Sequence, residues 1–420
     1  MAVKKKNTIF YKVILSFPVF IVLSLLIISF GTVMGQEQKA IKWGAIEPLS
    51  GSAALWGKAM NQGVELAADE FNAKGGLKVG NTLYKIKVME EDDKYTGAAA
   101  VAAASKLIHQ EGVKFITGPL GTPTTLAIQP ITEKEKVVIM TNASGDACGK
   151  DKPYTFRIGP SFLLGIAGNL QAATEKYPGR IKKIAYICTN DHAGWDTAKI
   201  VEAVAHSKAL GWEIVAKEFY ERGMTDFHPL LARVLPKKPD LIETAGIPSI
   251  EAALVASQAH GMGYRGLQTG MLIMPKLQSE KGGQGAEGMI GFWGVDYDMP
   301  WITKGQKDLY EKFKAKWPGQ TMLHQVEVAY SGTKGAFLAI EKAGTFDTTT
   351  VTKAFENLTW DVPAGKAEWL DFDAYGYKGI KRQISIPHPI TELRGGKLNL
   401  LRWADLSKLV QEMGIKIEGK

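Results

Sequence analysis

Ile41-Lys42-Trp43-Gly44-Ala45-Ile46 is a short apolar run that leads into a helical pattern over residues 57–73, where Met60, Val64, Ala67, Ala68 and Phe71 recur on one face. Gly75-Gly76 closes that helix, because glycine accepts the left-handed conformation of a C-terminal cap. An apolar strand followed by an amphipathic helix is one unit of an α/β fold, and the unit repeats outward from this point. Strands are expected at 84–89, 113–117 and 137–140, with helices at 97–109 and 123–135 between them. After Arg157 the rhythm returns, with helices at 165–176, 196–209, 227–234 and 250–260 and strands at 184–188, 213–219, 240–244 and 267–271. Such repetition predicts an α/β protein of two doubly wound lobes, each built on a parallel central sheet.

The rest of the chain changes texture. An apolar run over residues 289–295 precedes helical patterns at 304–316, 326–342 and 350–357, and residues 366–405 alternate as antiparallel strands do. A chain of 420 residues exceeds what one core usually serves. No low-complexity linker separates the halves, so a stiff hinge of three crossing strands is expected near 157–161, 291–296 and 363–373. The expected division is a leader over residues 1–35, a first lobe from 36–158 and 292–363, and a second lobe from 159–291 and 364–420, the last including a C-terminal tail.

Lys4, Lys5, Lys6 and Lys12 precede an uncharged apolar stretch over residues 13–30, the pattern of a secretory signal peptide. Val33 and Gly35 stand where a signal peptidase would read them, so the mature chain is expected to start near Gln36, in the periplasm. The alternative is a retained anchor, since the stretch can just span a bilayer. The formal net charge of +8 owes four lysines to the leader, and no nucleic-acid partner is implied. Cys148 and Cys188 are the only cysteines, too few for a disulfide scaffold or a four-cysteine metal site. Export permits a bond between them, while the apolar run around Cys188 favours a buried thiol.

Motifs of enzymes are missing or out of context. Residues 261–266 and 283–288 both satisfy G-x-G-x-x-G, yet neither follows a strand and opens a helix, so both are expected to be turns. There is no Walker A sequence, no G-x-S-x-G elbow and no histidine spacing of a zinc site. Glu90-Glu91-Asp92-Asp93 lacks the alternation and glycine of a calcium loop and is expected to be a solvated strand end. No enzyme activity, cofactor or metal is therefore expected.

Glu47-Pro48-Leu49-Ser50-Gly51-Ser52-Ala53-Ala54-Leu55-Trp56-Gly57 carries a Pro-x-Ser-Gly loop ending in an aromatic-glycine pair. With Gly118-Pro119-Leu120-Gly121-Thr122, Tyr154-Thr155-Phe156-Arg157, Thr225-Asp226-Phe227 and Pro239-Asp240, in this order and spacing, the chain resembles the type I periplasmic solute-binding proteins of ABC transporters, in the leucine/isoleucine/valine-binding family. The resemblance runs over residues 40–405. It implies a monomeric, non-enzymatic binder that captures a small solute, an amino acid or organic acid, between its lobes and delivers it to an ABC transporter permease in the membrane. A ligand-sensing subunit for a membrane receptor is the alternative.

Carried over residue by residue, the resemblance implies ligand contacts at Trp56, at Gly121 and Thr122, at Ala143, Ser144 and Gly145, at His192 and Trp195, and at Ile247 and Pro248. All fall just after expected strands, where ligands of open parallel sheets bind. Thr122 before Pro123 has the form of an N-cap followed by a first-turn proline, and a helix start can hold a carboxylate; capping alone also explains these residue types. Trp56 is expected to stack on the ligand or to pack beneath the helix that follows. Amino-acid binders of the family hold the ligand ammonium with an acid after the strand that here reads Leu267-Gln268-Thr269-Gly270-Met271, and no acid stands there. A hydrophobic or aromatic carboxylate is expected to fit better than a branched-chain amino acid, unless Asp191, Glu243 or Asp296 replaces the missing charge.

Overall fold

The computed structural model of the chain describes residues 39–51, 53–143, 147–159, 161–371 and 379–415. The first sheet is built from β1 (Ala40–Glu47), β2 (Leu77–Val79), β3 (Thr82–Asp92), β4 (Phe115–Leu120), β5 (Val138–Asn142) and β6 (Thr155–Arg157). Between them run helices α1 (Ala54–Ala73), α2 (Gly97–Ser105) and α3 (Thr122–Lys134). The second sheet takes β7 (Lys183–Thr189), β8 (Glu213–Tyr220), β9 (Leu241–Thr244), β10 (Leu267–Gly270) and β11 (Ile290–Gly291). Its helices are α4 (Phe162–Lys176), α5 (His192–Ala205), α6 (His228–Val234) and α7 (Ser249–Gly261).

Strands β1, β3, β4, β5 and β6 pair in parallel, as do β7 to β11. The inner strands β4, β5, β6, β7, β9 and β10 are buried on both faces and read as largely continuous runs, whereas β3 and β8, nearer the sheet edges, alternate with exposed charged residues. Each sheet carries helices on both sides. In the first lobe α1 packs on one face and α2 and α3 on the other; in the second lobe α4 and α5 oppose α6 and α7.

The chain then returns twice. Helices α8 (Lys304–Lys316), α9 (His324–Ala343) and α10 (Thr348–Glu356) join the first lobe. Gly63 of α1 lets α9 approach closely, since a Cβ there would stand 2.3 Å from the Val326 carbonyl oxygen. Trp43 of β1 lies fully buried beneath this pair, stacked on Phe115, with its Nε1 donating to Thr117 Oγ1 at 3.0 Å.

β12 (Trp360–Val362), β13 (Gly365–Asp371) and β14 (Lys381–Ser385) extend the first sheet, giving nine strands in the order β12-β13-β14-β6-β5-β4-β1-β3-β2. β15 (His388–Arg394) and β16 (Lys397–Ala404) extend the second to seven, in the order β16-β15-β11-β10-β9-β7-β8, and α11 (Leu406–Met413) follows. The expected division at residue 364 therefore differs from the strand order, in which the chain returns to the second sheet only at His388. Trp369 explains the difference: its ring packs against Phe355 at 4.7 Å and Phe156 at 4.8 Å in the first core and keeps β13 there. The expected crossing near 363–373 is a hairpin, Val362 opposite Gly365, and the third crossing is the short stretch from Ser385 to His388. The other two crossings lie between β6 and α4 and between β11 and α8.

Candidate functional site

Between the lobes lies a cavity of about 660 Å³, counting its open mouth. Its walls come from residues just beyond the carboxyl ends of parallel strands, where the fold leaves side chains and helix starts without neighbours. The first lobe supplies Trp56 at the start of α1, Tyr95 after β3, Leu120, Gly121 and Thr122 between β4 and α3, Asn142 at the end of β5, and Gln325 at the start of α9. From the second lobe come Phe162, Ala193, Thr197, Arg222, the run Ala245-Gly246-Ile247-Pro248 and Met271, and Trp293 enters from the crossing after β11.

Five of the expected contacts meet here: Trp56, Gly121, Thr122, Ile247 and Pro248. Trp56 serves both expected readings, lining the cavity while packing against the first core. Thr122 is not the N-cap but the first helical residue of α3. Gly121 occupies the cap position at φ 101°, a left-handed conformation that swings the chain from β4 into the helix. Ile247 also belongs to the second core.

The remaining expected residues stand elsewhere. Ala143 is buried beside Asn142 without lining the cavity, and Ser144 and Gly145 lie outside the described residues. His192 turns back along its own helix, its Nε2 3.7 Å from Asp196 Oδ2. Trp195 is 48% exposed and donates from Nε1 to Asn190 Oδ1 at 3.1 Å, so Ala193 and Thr197 form the α5 wall instead. Sequence reasoning missed Tyr95, Asn142, Phe162, Arg222, Met271, Trp293 and Gln325. Arg222, Asn142 and Tyr95 stand at or just beyond strand ends and are open to that rule; Gln325 carries no local signal.

The described lining holds one cation, Arg222, and no carboxylate. None of the three acids considered as replacements reaches the cavity wall. Asp191 caps α5, accepting the Gly194 N–H at 3.0 Å, and pairs with Arg222. Burial alone would raise its carboxyl, but Arg222 and the Gly194 amide hold it below the usual range. Glu243 is fully buried, accepting from Thr269 Oγ1 at 2.7 Å and from the Ala245 N–H at 2.6 Å, and burial pushes its carboxyl up to about 7. Asp296 accepts from the Asp298 N–H at 3.1 Å.

Two helices start at the cavity with no side-chain cap, α3 at Gly121-Thr122 and α7 at Pro248-Ser249; the amides and dipole of α3 favour negative charge, while α7 already carries Glu251 in its first turn. Trp293 Nε1 and Gln325 Oε1 are buried and have no hydrogen-bond partner among the described residues. Orphaned polar atoms of this kind cost stability unless a partner reaches them. Trp56, Tyr95, Phe162 and Trp293 bring four aromatic rings to the same space.

The family model described as periplasmic binding protein matches residues 40–374, which takes in β1 to β13 and every cavity residue named above. The chain belongs to the periplasmic binding protein family. Among curated relatives, Leu/Ile/Val-binding protein homolog 8 of Brucella melitensis is 27% identical over 363 residues, covering 81% of this chain and 84% of the relative. An amino acid binding protein of Pseudomonas aeruginosa is 23% identical over 366 residues, covering 82% of this chain and 91% of the relative. Among solved structures, a leucine-binding protein from Thermotoga maritima superposes with a TM-score of 0.73 at 19% identity, over 88% of this chain and all of that one. A solute-binding protein of an ABC transporter from Rhodopseudomonas palustris, in complex with p-hydroxybenzoic acid, gives 0.72 at 21% identity, over 87% and 97%. This periplasmic binding protein thus shares the two-lobed α/β fold of both. Its family is one of binders rather than enzymes.

The run Glu90-Glu91-Asp92-Asp93 is not solvated throughout: Asp93 is fully buried, with its Oδ1 accepting the Tyr95 N–H at 2.7 Å. Pairing of Glu47 with Asp92 across β1 and β3 places Glu47 beside it, also buried, with Oε2 accepting the Leu120 N–H at 3.0 Å. Both acids therefore brace residues that line the cavity. Cys148 and Cys188 are free, buried thiols, one in each lobe. Among the described residues no group of three or more metal-ligating side chains occurs, and no helix is long and apolar enough to cross a membrane.

Proposed function

We propose that the chain is the extracytoplasmic solute-binding subunit of an ABC importer, exported by its N-terminal leader, and that its solute is a small carboxylate on an aromatic or apolar body. One observation carries the choice of solute: four aromatic rings and a single cation line the cavity, and no carboxylate does among the described residues. An amino acid closed into this space would bury its ammonium without a counter-charge, a cost of several kcal/mol. A carboxylate finds Arg222 and the uncapped start of α3, and a ring finds stacking partners. Because the walls come from both lobes, a bound solute favours the closed arrangement and so changes the surface offered to the permease.

Isothermal titration of the mature chain with 4-hydroxybenzoate and with leucine tests this. Saturable binding of the aromatic acid is expected, with a thermal stabilisation of about 2.7 kcal/mol at a hundredfold excess over Kd. Stabilisation by leucine with none by aromatic acids would overturn it.

A further inference from the structure

The space between the lobes does not end at the aromatic cavity. A second chamber, about 1400 Å³ counting its open mouth, shares Trp293 with it as a wall. Leu55 and Lys58 of α1 line it from the first lobe, with Met322 and Leu323 ahead of α9, and the stretch Leu272–Leu277 lines it from the second. Adjacent side chains at the start of α1 serve different chambers, Trp56 the first and Leu55 the second. A helical step of about 100° per residue separates them.

The lining grades from apolar to cationic. Leu272, Ile273, Met322 and Leu323 are buried, whereas Leu55 at the mouth is 57% exposed. Lys58 and Lys276 are exposed at the same rim, and Glu280, 4.0 Å from Lys276, is the one acid of the described lining. No ion pair engages Lys58 among the described residues. His324 adds a ring without charge, because burial and the neighbouring His388 hold it neutral. Apart from Trp293, the apolar lining is aliphatic or methionine, which adapts to flexible chains, in contrast to the four rings of the first cavity.

We propose that this chamber is a second binding site, for an aliphatic carboxylate of medium chain length, its body against Leu272, Met322 and Leu323 and its carboxylate between Lys58 and Lys276. A concave space with a buried apolar floor and a charged rim suits a small amphipathic anion. Since both lobes wall it, its occupancy is coupled to closure around the first cavity, with Trp293 in contact with both ligands.

The test is titration calorimetry of the mature chain with octanoate and decanoate, alone and in the presence of saturating 4-hydroxybenzoate. Decanoate is expected to bind about tenfold tighter than octanoate, as two more buried methylenes require. The double variant Lys58→Glu/Lys276→Glu is expected to weaken decanoate by about tenfold or more while changing 4-hydroxybenzoate by less than about twofold. No saturable decanoate binding, equal affinity in the double variant, or one-for-one displacement by 4-hydroxybenzoate would overturn the proposal. So would loss of permease stimulation in the double variant without any decanoate binding, which would assign the rim to the transporter. If 4-hydroxybenzoate fails to bind while decanoate binds and responds to the lysines, the second site stands and the reading of the first cavity falls.

Discussion

Asp191 and Arg222 are joined through Oδ2 and Nε at the second-lobe side of the cavity, while Asp191 Oδ1 accepts the Gly194 N–H at 3.0 Å and the Thr189 hydroxyl at 2.9 Å. One carboxylate thus caps α5 and orients the only cation of the described lining. The two roles separate by substitution. Arg222→Met is expected to weaken 4-hydroxybenzoate by about tenfold to a hundredfold, the worth of a charged hydrogen bond. Asp191→Asn keeps an acceptor for the cap and frees the guanidinium, so affinity for the carboxylate is expected to hold or rise. Calorimetry on both variants checks this: unchanged affinity in both would leave the pair a purely structural one, and a fall in both would mean that Asp191 must hold Arg222 for binding.

Glu47 and Asp93 place two buried carboxyls side by side beneath the cavity. Burial first, then the charge of Asp93, raises Glu47 well above the usual carboxylate range, and burial with the charge of Asp92 pushes Asp93 up to about 6. Each therefore holds its proton more tightly folded than unfolded. Their contribution to stability is full below about pH 4, the ordinary carboxylate range; that of Asp93 is lost as the pH rises through about 6, and that of Glu47 is lost as the pH rises through its own raised range. Glu47→Gln keeps an oxygen for the Leu120 N–H and removes the like charge. Thermal melts across this range are expected to show a smaller decline for the variant than for the parent, and a higher melting temperature in mild alkali. A variant that melts lower there with an unchanged decline would contradict the account.

The βα rhythm was legible because buried parallel strands and amphipathic helices have distinct periods; the helix expected over 304–316 coincides with α8, and that over 97–109 with α2 and its continuation. What the chain does after residue 360 was not, since alternation announces antiparallel strands without saying which sheet they join. The packing of Trp369 against Phe355 and Phe156 settles that, and it is a contact between segments far apart in sequence. The same limit governs the site. Gly121-Thr122 and Ile247-Pro248 were found because a strand end precedes each, whereas Gln325 enters on a helix of the returning chain; Tyr95, just beyond the end of β3, reaches the cavity through a left-handed turn at φ 57°. Asp93 was misplaced for a related reason: its burial depends on β1 lying beside β3, with Glu47 opposite Asp92.

Cys148 and Cys188 are buried in different lobes, and burial raises both thiols above their ordinary value, with Arg157 acting against it at Cys148 and Glu243 adding to it at Cys188. Thiolate is the reactive form. Neither is expected to react with Ellman's reagent in the native protein, and both are expected to react on unfolding in guanidinium. Release of two equivalents of thiolate only after denaturation, with no prior reduction, is the result that fits free thiols.

Gly121 is the position where the turn and the site depend on one another. Its φ of 101° is left-handed, and a Cβ added there would stand 2.6 Å from the Tyr95 ring. Gly121→Ala therefore strains the backbone that starts α3 and also pushes Tyr95, which lines the same cavity. A loss of about 1–3 kcal/mol in stability is expected, together with weaker binding of 4-hydroxybenzoate. Adding Tyr95→Leu removes the collision but not the backbone strain, so the double variant is expected to recover part of the stability. A double-mutant cycle measures that coupling. Full recovery would mean that the φ angle carries no cost, and no recovery would mean that the ring yields freely and the backbone alone requires glycine.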